Sequence, residues 1–329
     1  MIEPVSEIID SFGRKHTYLR ISVTDLCNLR CFYCMPEEGI DLTEKHHLMS
    51  LEEMVAIARQ FTDLGIDTIR LTGGEPLVRK NFSFLVQELS QLPVRLKLTT
   101  NGILLHKYLD QFESIGLNDI NISLDSLDKV KNAFITKRDY FDRIHSNIKE
   151  ALRRGFHVKL NVVLIKGLND GEILDFIELT SDQQIIVKFI EFMPFRGNKW
   201  DWSKGVSEQE ILDLAQGNFS KVLKLEDPKH STSSSFKIDG FKGTFGVIST
   251  ITKPFCDGCN RIRLTADGKM KNCLFAANET DLLTDFRRGR SIKPLIFSAI
   301  SKKKYSRDGM EDMKQEVYEQ NRSMIAIGG

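Results

Sequence analysis

The chain has 329 residues, 41% of them hydrophobic and 28% charged, which is enough for a sizeable core in one large domain or two smaller ones. Its 46 basic and 45 acidic residues leave a formal net charge of +1, so no global field marks nucleic acid or an anionic membrane as a partner. No apolar stretch is long enough to span a bilayer, and the first 15 residues carry Glu3, Glu7 and Asp10 where a secretory signal would be apolar, so a cytoplasmic location is expected.

Short β-branched runs at Tyr18–Val23, Thr68–Leu71, Val94–Thr99, Asp119–Leu124, Val158–Leu164 and Ile185–Phe189 read as strands. Helical patterns lie between them near Ser50–Leu64, Phe82–Gln91, Leu104–Ile115, Tyr140–Arg154 and Asp170–Thr180. This alternation predicts an α/β fold with a parallel sheet, and six units suit a partial (β/α)6 TIM-like barrel. The pattern changes after Met193, which sets expected units at 1–193 and 194–329. The second reads as a C-terminal α+β extension. In it, residues 194–206 are a loop, and Ser207–Ala215 is a helix with Ser207 and Glu210 as a capping box. Ser231–Ser235 reads as a polar loop, Gly243–Ser249 and Arg261–Thr265 as strands, and Asp281–Arg287 and Glu311–Asn321 as helical pieces.

The six cysteines divide into two sets of three. Cys27, Cys31 and Cys34 form a C-x3-C-x2-C run just after the first strand, and Cys256, Cys259 and Cys273 form a C-x2-C-x13-C set near the end. In a reducing compartment such sets point to metal rather than disulfides. Three thiolates are one short of the four that close a zinc site or fully ligate an iron–sulfur cluster, so a cluster held this way keeps one iron for a small molecule. Spacing alone leaves open a zinc knuckle that borrows His46 or His47 as its fourth ligand. Tyr33, between two ligands, could shield a cluster or sit in the core. The second strand runs into Leu71-Thr-Gly73-Gly74-Glu75-Pro76, where two glycines let a backbone approach closely and Glu75 could accept a hydrogen bond from an ammonium.

C-x3-C-x2-C followed by GGEP resembles the radical S-adenosylmethionine (SAM) superfamily. The rest of the chain is similar, over nearly all its length, to the GTP 3′,8-cyclase family of molybdenum cofactor biosynthesis. The matching stretches are Tyr18-Leu-Arg-Ile-Ser-Val-Thr-Asp25, Ile69-Arg-Leu-Thr-Gly-Gly-Glu75, Leu98-Thr-Thr-Asn-Gly102, Ile122-Ser-Leu-Asp125, Val158-Lys-Leu-Asn161, Phe189-Ile-Glu-Phe-Met193, Cys256-Asp-Gly-Cys-Asn-Arg-Ile-Arg-Leu264, Cys273 and Gly328-Gly329. The resemblance implies a radical SAM type of partial barrel with two [4Fe–4S] clusters. Cys27, Cys31 and Cys34 would hold the SAM-binding cluster, with Tyr33, Gly74, Glu75, Ser123 and Met193 around SAM. Cys256, Cys259 and Cys273 would hold a second cluster facing the guanine. Arg20, Arg70, Thr99, Lys159 and Arg261 to Arg263, with Ile262 between the arginines, would contact GTP. The implied reaction takes hydrogen from C3′ of the ribose and joins C3′ to C8. Implied partners are a flavodoxin- or ferredoxin-type reductant, a downstream cyclic pyranopterin monophosphate synthase, and a second copy in a homodimer.

The residues agree on their own terms. The chain lacks a G-x4-G-K-[ST] phosphate loop, so a bound triphosphate would have to be neutralised by other groups. Arginine suits that through its planar bidentate donors, and Arg20, Arg70 and Lys159 lie in or beside strands. Arg261 and Arg263 are two apart, so an extended segment points both to one face. Asn101-Gly102 reads as a turn and Asp170 as a helix cap. The seven histidines form no cluster with the cysteines in sequence. Gly328 and Gly329 are narrow enough to enter a pocket, and the resemblance implies that they reach the active site as catalytic elements beside Arg261 and Arg263.

Overall fold

The computed structural model describes residues 7–36, 38–40, 43–310 and 314–328. Twelve strands form one sheet: β1 (Tyr18–Ser22), β2 (Thr68–Thr72), β3 (Arg95–Thr100), β4 (Asp119–Ser123), β5 (His157–Leu164), β6 (Ile186–Glu191), β7 (Val222–Lys224), β8 (Ser234–Ile238), β9 (Thr244–Ile248), β10 (Arg261–Leu264), β11 (Lys269–Lys271) and β12 (Thr280–Asp281). Their order is β12-β11-β10-β1-β2-β3-β4-β5-β6-β9-β8-β7. The middle eight, from β10 to β9, are all parallel. Among the described residues no ladder joins β9 to β10, so the barrel is open along that line.

The six expected strands and the five expected helical regions are present, with ends moved by a residue or two. The extension is not a separate layer. It adds β10 to one edge of the six-stranded sheet and β9 to the other, and each carries an antiparallel hairpin outward. Part of the expected polar loop is strand: Ser234 and Ser235 pair with Val247 and Gly246, because the waiting edge of β9 outweighs serine's weak strand preference. Helices Lys129–Thr136 and Lys293–Ser301 lie outside the sequence reading. The Glu311–Asn321 piece is helical over Gln315–Tyr318, and residues 311–313 lie outside the described residues. Asp170 does not cap the following helix; its carboxylate accepts the Gly167 N–H at 2.8 Å and closes the preceding turn. Ser207 and Glu210 form the expected capping box.

Strand pleating sorts the side chains. In β5 the residues Val158, Leu160, Val162 and Leu164 are buried among the aliphatics that pack on the helices. Lys159, Asn161 and Val163, one residue out of phase, line the barrel interior. The same alternation places Leu19, Ile21, Leu96, Leu98, Ile120, Ile122, Val187 and Phe189 outward into the core. Arg20, Lys97, Thr99, Asn121, Ser123 and Lys188 then face the interior. A closed eight-stranded barrel fills its interior with such side chains; here the inner wall encloses a cavity.

Candidate active site

The barrel interior is a cavity of about 1060 Å³, lined by all six cysteines. The first trio lies in the loop that leaves the C-terminal end of β1. Cys256 and Cys259 precede β10, and Cys273 follows β11, which runs antiparallel to β10. Because β10 is parallel to β1, the second trio sits at the N-terminal mouth of the barrel. The two cysteine sets therefore face each other along the barrel rather than sharing one rim.

The glycines of the GGEP turn let the cysteine loop dock. Gly74 donates its N–H to Thr24 O at 2.7 Å, and Glu75 donates to Leu26 O at 2.8 Å. A Cβ on Gly74 would stand 2.3 Å from Leu26 O, and Gly73 has φ +150° with Thr24 O 2.6 Å from the position of its Cβ. Gly74, Tyr33, Ser123 and Met193 line the cavity. Glu75 does not; its carboxylate is turned inward and accepts from Thr100 Oγ1 at 2.7 Å, Asn101 N at 2.6 Å and Leu77 N at 3.0 Å. Burial pushes it up to about 7. This carboxylate, expected near the SAM amine, brackets the loops that follow β2 and β3. Asn101, read as a plain turn residue, carries this bracket to the cluster loop through Asn28 Oδ1 at 2.7 Å and a 3.9 Å contact to Cys27 Sγ.

Between the trios runs a basic wall. Arg263, Arg20, Arg70 and Lys97 lie at one register level on four neighbouring strands. Arg70 donates to Tyr18 OH at 2.6 Å and to Leu98 O at 2.8 Å, which fixes its fork. Thr99 and Lys159 flank Asn121 across the sheet. Asp119 lies 3.3 Å from Lys97 and 3.2 Å from Lys159 and is their shared counter-ion. Arg261 stacks over Phe255 at 5.1 Å and faces the cavity with Arg263. Ile262 points the other way into the apolar core, so its side chain does not reach the cavity. Burial, against the raising influence of Cys273 and with Arg261 adding to the strain, lowers the Arg263 guanidinium to about 10. Burial likewise lowers Arg20, with Arg263 beside it. Cations held this closely have most to gain from an anion.

Sequence reasoning missed Lys97, Lys188 and Asp125, all of which line the cavity. The signal for the lysines was the pleat: both occupy interior-facing strand positions. Lys188 donates to Ser233 Oγ at 2.7 Å, and burial, with Lys159 nearby, lowers it to about 8. Asp125 accepts from Tyr33 OH at 2.7 Å and from Val163 N at 2.9 Å, and burial raises it to about 6. Tyr33 is thus held against the cavity by a named partner.

Met324 lines the cavity, while Gly328 of the same segment packs at the C-terminal ends of β1 and β2 against Ser22 and Thr72. A Cβ there would meet Thr72 Oγ1 at 2.7 Å and the Ser22 Cβ at 2.8 Å, and Arg263 donates to the Gly328 carbonyl at 3.0 Å. Gly329 lies outside the described residues.

The thiols fit clusters. Among the described residues, the His/Cys/Asp/Glu trio whose donor atoms all fall within 4.8 Å is Glu44, His46 and His47, on the exposed surface. Neither cysteine set contracts that far, whereas sulfurs around one zinc at about 2.3 Å stand roughly 3.8 Å apart. His46 and His47 do not line the cavity and bring no fourth ligand there. Burial pushes Cys27 up to about 11 and also raises Cys31 and Cys34, with Asp125 adding to both. Three thiolates in such a place call for a metal's charge. In the second set burial raises Cys273, while Arg261, Lys303 and Arg14 overcome burial and pull Cys259 down to about 7.

Gly74→Ala should leave the helical content unchanged but halve the iron taken up on reconstitution, because the first cysteine loop loses its seat; full iron content would refute this. Glu75→Gln should change the pH dependence of stability. The Glu75 carboxyl is raised in the folded state, so the fold binds its proton more tightly than the unfolded chain does. Its contribution is full below the ordinary value of 4.5 and is lost as pH rises through about 7. The difference in melting temperature between the metal-free Gln variant and wild type should therefore grow across that window, as read by circular dichroism.

Residues 21–180 match the family model described as radical SAM superfamily, and residues 185–308 match molybdenum cofactor synthesis C. The chain is 46% identical to the mitochondrial GTP 3′,8-cyclase of Arabidopsis thaliana, covering 99% of this chain and 85% of that protein. It is 44% identical to the GTP 3′,8-cyclase of Peptoclostridium acidaminophilum, covering 95% of this chain and 98% of that protein. Molybdenum cofactor biosynthesis protein 1 of Homo sapiens is 45% identical over 97% of this chain, which spans only 51% of that protein. Streptococcus suis SuiB bound to S-adenosylmethionine shares the fold, with a TM-score of 0.57 at 16% identity over 89% of this chain and 70% of that one. With its two cysteine sets facing each other across a basic barrel, the chain belongs to the radical SAM superfamily and, within it, to the GTP 3′,8-cyclase family of molybdenum cofactor biosynthesis.

Proposed function

We propose that this protein converts GTP to (8S)-3′,8-cyclo-7,8-dihydroguanosine 5′-triphosphate, the first step of molybdenum cofactor biosynthesis. One observation carries the reading: two three-cysteine sets look into one cavity from opposite ends, with arginines and lysines on the wall between them. When bound, SAM and its [4Fe–4S] cluster supply the radical that takes hydrogen from C3′ of the ribose, after which C3′ bonds to C8.

Cys27, Cys31 and Cys34 would hold the first cluster, and Tyr33, Gly74, Ser123 and Met193 would shape the SAM pocket beside it. Tyr33 is steadied there by Asp125. Cys256, Cys259 and Cys273 would hold the second cluster at the guanine end. Arg20, Arg70, Thr99, Lys159, Arg261 and Arg263 would take the triphosphate and ribose, joined by Lys97 and Lys188, which line the same cavity. A nucleotide spanning the barrel would then have its base at one mouth and its reacting ribose carbon facing the other. Fixed placement of C3′ against both SAM and C8 is the orientation problem that the rigid sheet addresses. Gly328 would crowd the same end through its contact with Arg263. The chemistry also needs a low-potential one-electron donor protein, and its product would pass to a cyclic pyranopterin monophosphate synthase.

The test is oxygen-free reconstitution followed by SAM cleavage with and without GTP. About eight irons per chain are expected, as two four-iron clusters require, and a cyclised guanosine triphosphate should form only with GTP present. One or two zincs and no iron, or turnover of a peptide in place of GTP, would overturn the assignment. Gly328→Val should abolish the cyclised product while iron content and circular dichroism stay at wild-type values, since the larger side chain cannot fit between Ser22 and Thr72.

A further inference from the structure

Helix Lys129–Thr136 packs on the first cysteine loop through backbone bonds, Arg30 N to Thr136 O at 2.9 Å and Phe32 N to Ile135 O at 3.3 Å. Its outer face carries two large apolar side chains four residues apart, Val130 at 79% and Phe134 at 56% exposure. Phe134 lies 6.3 Å from Phe32, the residue that follows Cys31. A string of rings thus leads from solvent to the first cysteine set.

The rim of this face is positive. Lys129 is answered by Asp139 and Asp142, and Lys131 by Glu172. Asp128 caps the helix by accepting the Lys131 N–H at 2.7 Å. Arg30, Lys137 and Arg138 are exposed, and among the described residues none of them meets a carboxylate. Lys137 lies over the Phe134 ring at 4.3 Å, and Arg30 donates to Cys27 O at 2.6 Å. In a chain whose net charge is only +1, three unanswered cations around an exposed apolar pair form a local feature. An apolar patch with a charged rim is the usual form of a protein docking site.

We propose that this face docks a small acidic electron-transfer protein that reduces the first cluster. The proposal rests on the function assigned above. The step moves one electron: the carrier is oxidised by one electron, the cluster is reduced by one, and no bond is made or broken. The reducing equivalent enters beside Phe134 and Phe32, next to Cys31. The cations steer the carrier, and Val130 and Phe134 supply the dry contact.

The test compares two reductants on reconstituted enzyme, flavodoxin with its reductase and sodium dithionite. Lys137→Glu with Arg138→Glu should weaken flavodoxin binding about tenfold and flatten its salt dependence, as loss of rim charges does. Phe134→Ser should raise the flavodoxin concentration needed for half-maximal GTP turnover. Dithionite-driven turnover should stay at the wild-type rate in both variants. Unchanged flavodoxin binding would overturn the proposal. So would a parallel fall with dithionite, which would make the face structural, or a shift from dimer to monomer, which would make it a contact between copies. If wild type turns over GTP with neither reductant, the function itself fails; if only dithionite works, the function stands and the docking face falls.

Discussion

Everything at this site depends on the two-residue period of the strand. In eight adjacent parallel strands, one set of alternating side chains is aliphatic and seals against helices, while the other is polar and faces a hollow. The aliphatic layer allows the polar layer to exist. Arg20, Arg70 and Arg263 stand side by side at one register level, an arrangement whose mutual repulsion a loop would relieve by moving. The sheet's hydrogen bonds and the packing of Leu19, Ile69 and Ile262 behind them hold the guanidiniums where they are. The barrel wall is therefore a place where an anionic ligand would relieve unfavourable electrostatics without a phosphate loop.

The same pleat explains why so much was legible in the sequence. The six central strands were readable because their aliphatic positions alternate with Arg, Lys, Asn and Thr. The opposed direction of Arg261 and Arg263 against Ile262 follows from the same rule. Topology was not readable. Nothing in Thr244–Ile248 or Arg261–Leu264 says that one joins β6 and the other joins β1, so a six-stranded barrel with an appended extension was the natural expectation. That placement decides which mouth of the barrel each cysteine set occupies. The helix Lys129–Thr136 escaped notice because two of its largest apolar side chains face solvent, which spoils the amphipathic period. The bracket formed by Glu75 was hidden for a different reason: a motif identifies a residue, but only the fold shows which protein groups its carboxylate meets.

The two cysteine sets sit in different electrostatic settings. Around the first, Asp125 and burial act against thiolate, and the nearby cation Arg30 is turned to the carbonyl of Cys27. Around the second, Arg261, Lys303 and Arg14 favour it. Arg14 also donates to Cys256 O at 2.7 Å and to Tyr305 O at 2.8 Å, with Asp10 holding its Nε at 2.7 Å. Negative charge around a cluster disfavours adding an electron, and positive charge favours it. The chain thus gives its two cysteine sets opposite electrostatic surroundings.

Lys271 links the second set to the segment that bears Gly328. It is fully buried, and burial lowers its basicity. Its ammonium donates to the carbonyl of Ala276 and to Asn321 Oδ1 at 2.9 Å, with Glu279 at 3.4 Å. Asn321 in turn donates to Leu274 O at 3.1 Å, and Arg322 pairs with Asp267 at 2.8 Å and Glu279. A buried ammonium is tolerable only when its donors are all met, so removing any partner leaves an uncompensated charge. The loop 271–279 and the segment from Asn321 onward therefore hold each other in place. Cys273 lies inside that loop, so an ordered second cysteine set and a seated Gly328 are two outcomes of one network, and the carbonyl that meets Arg263 is placed by the same lysine that braces the opposite mouth of the barrel.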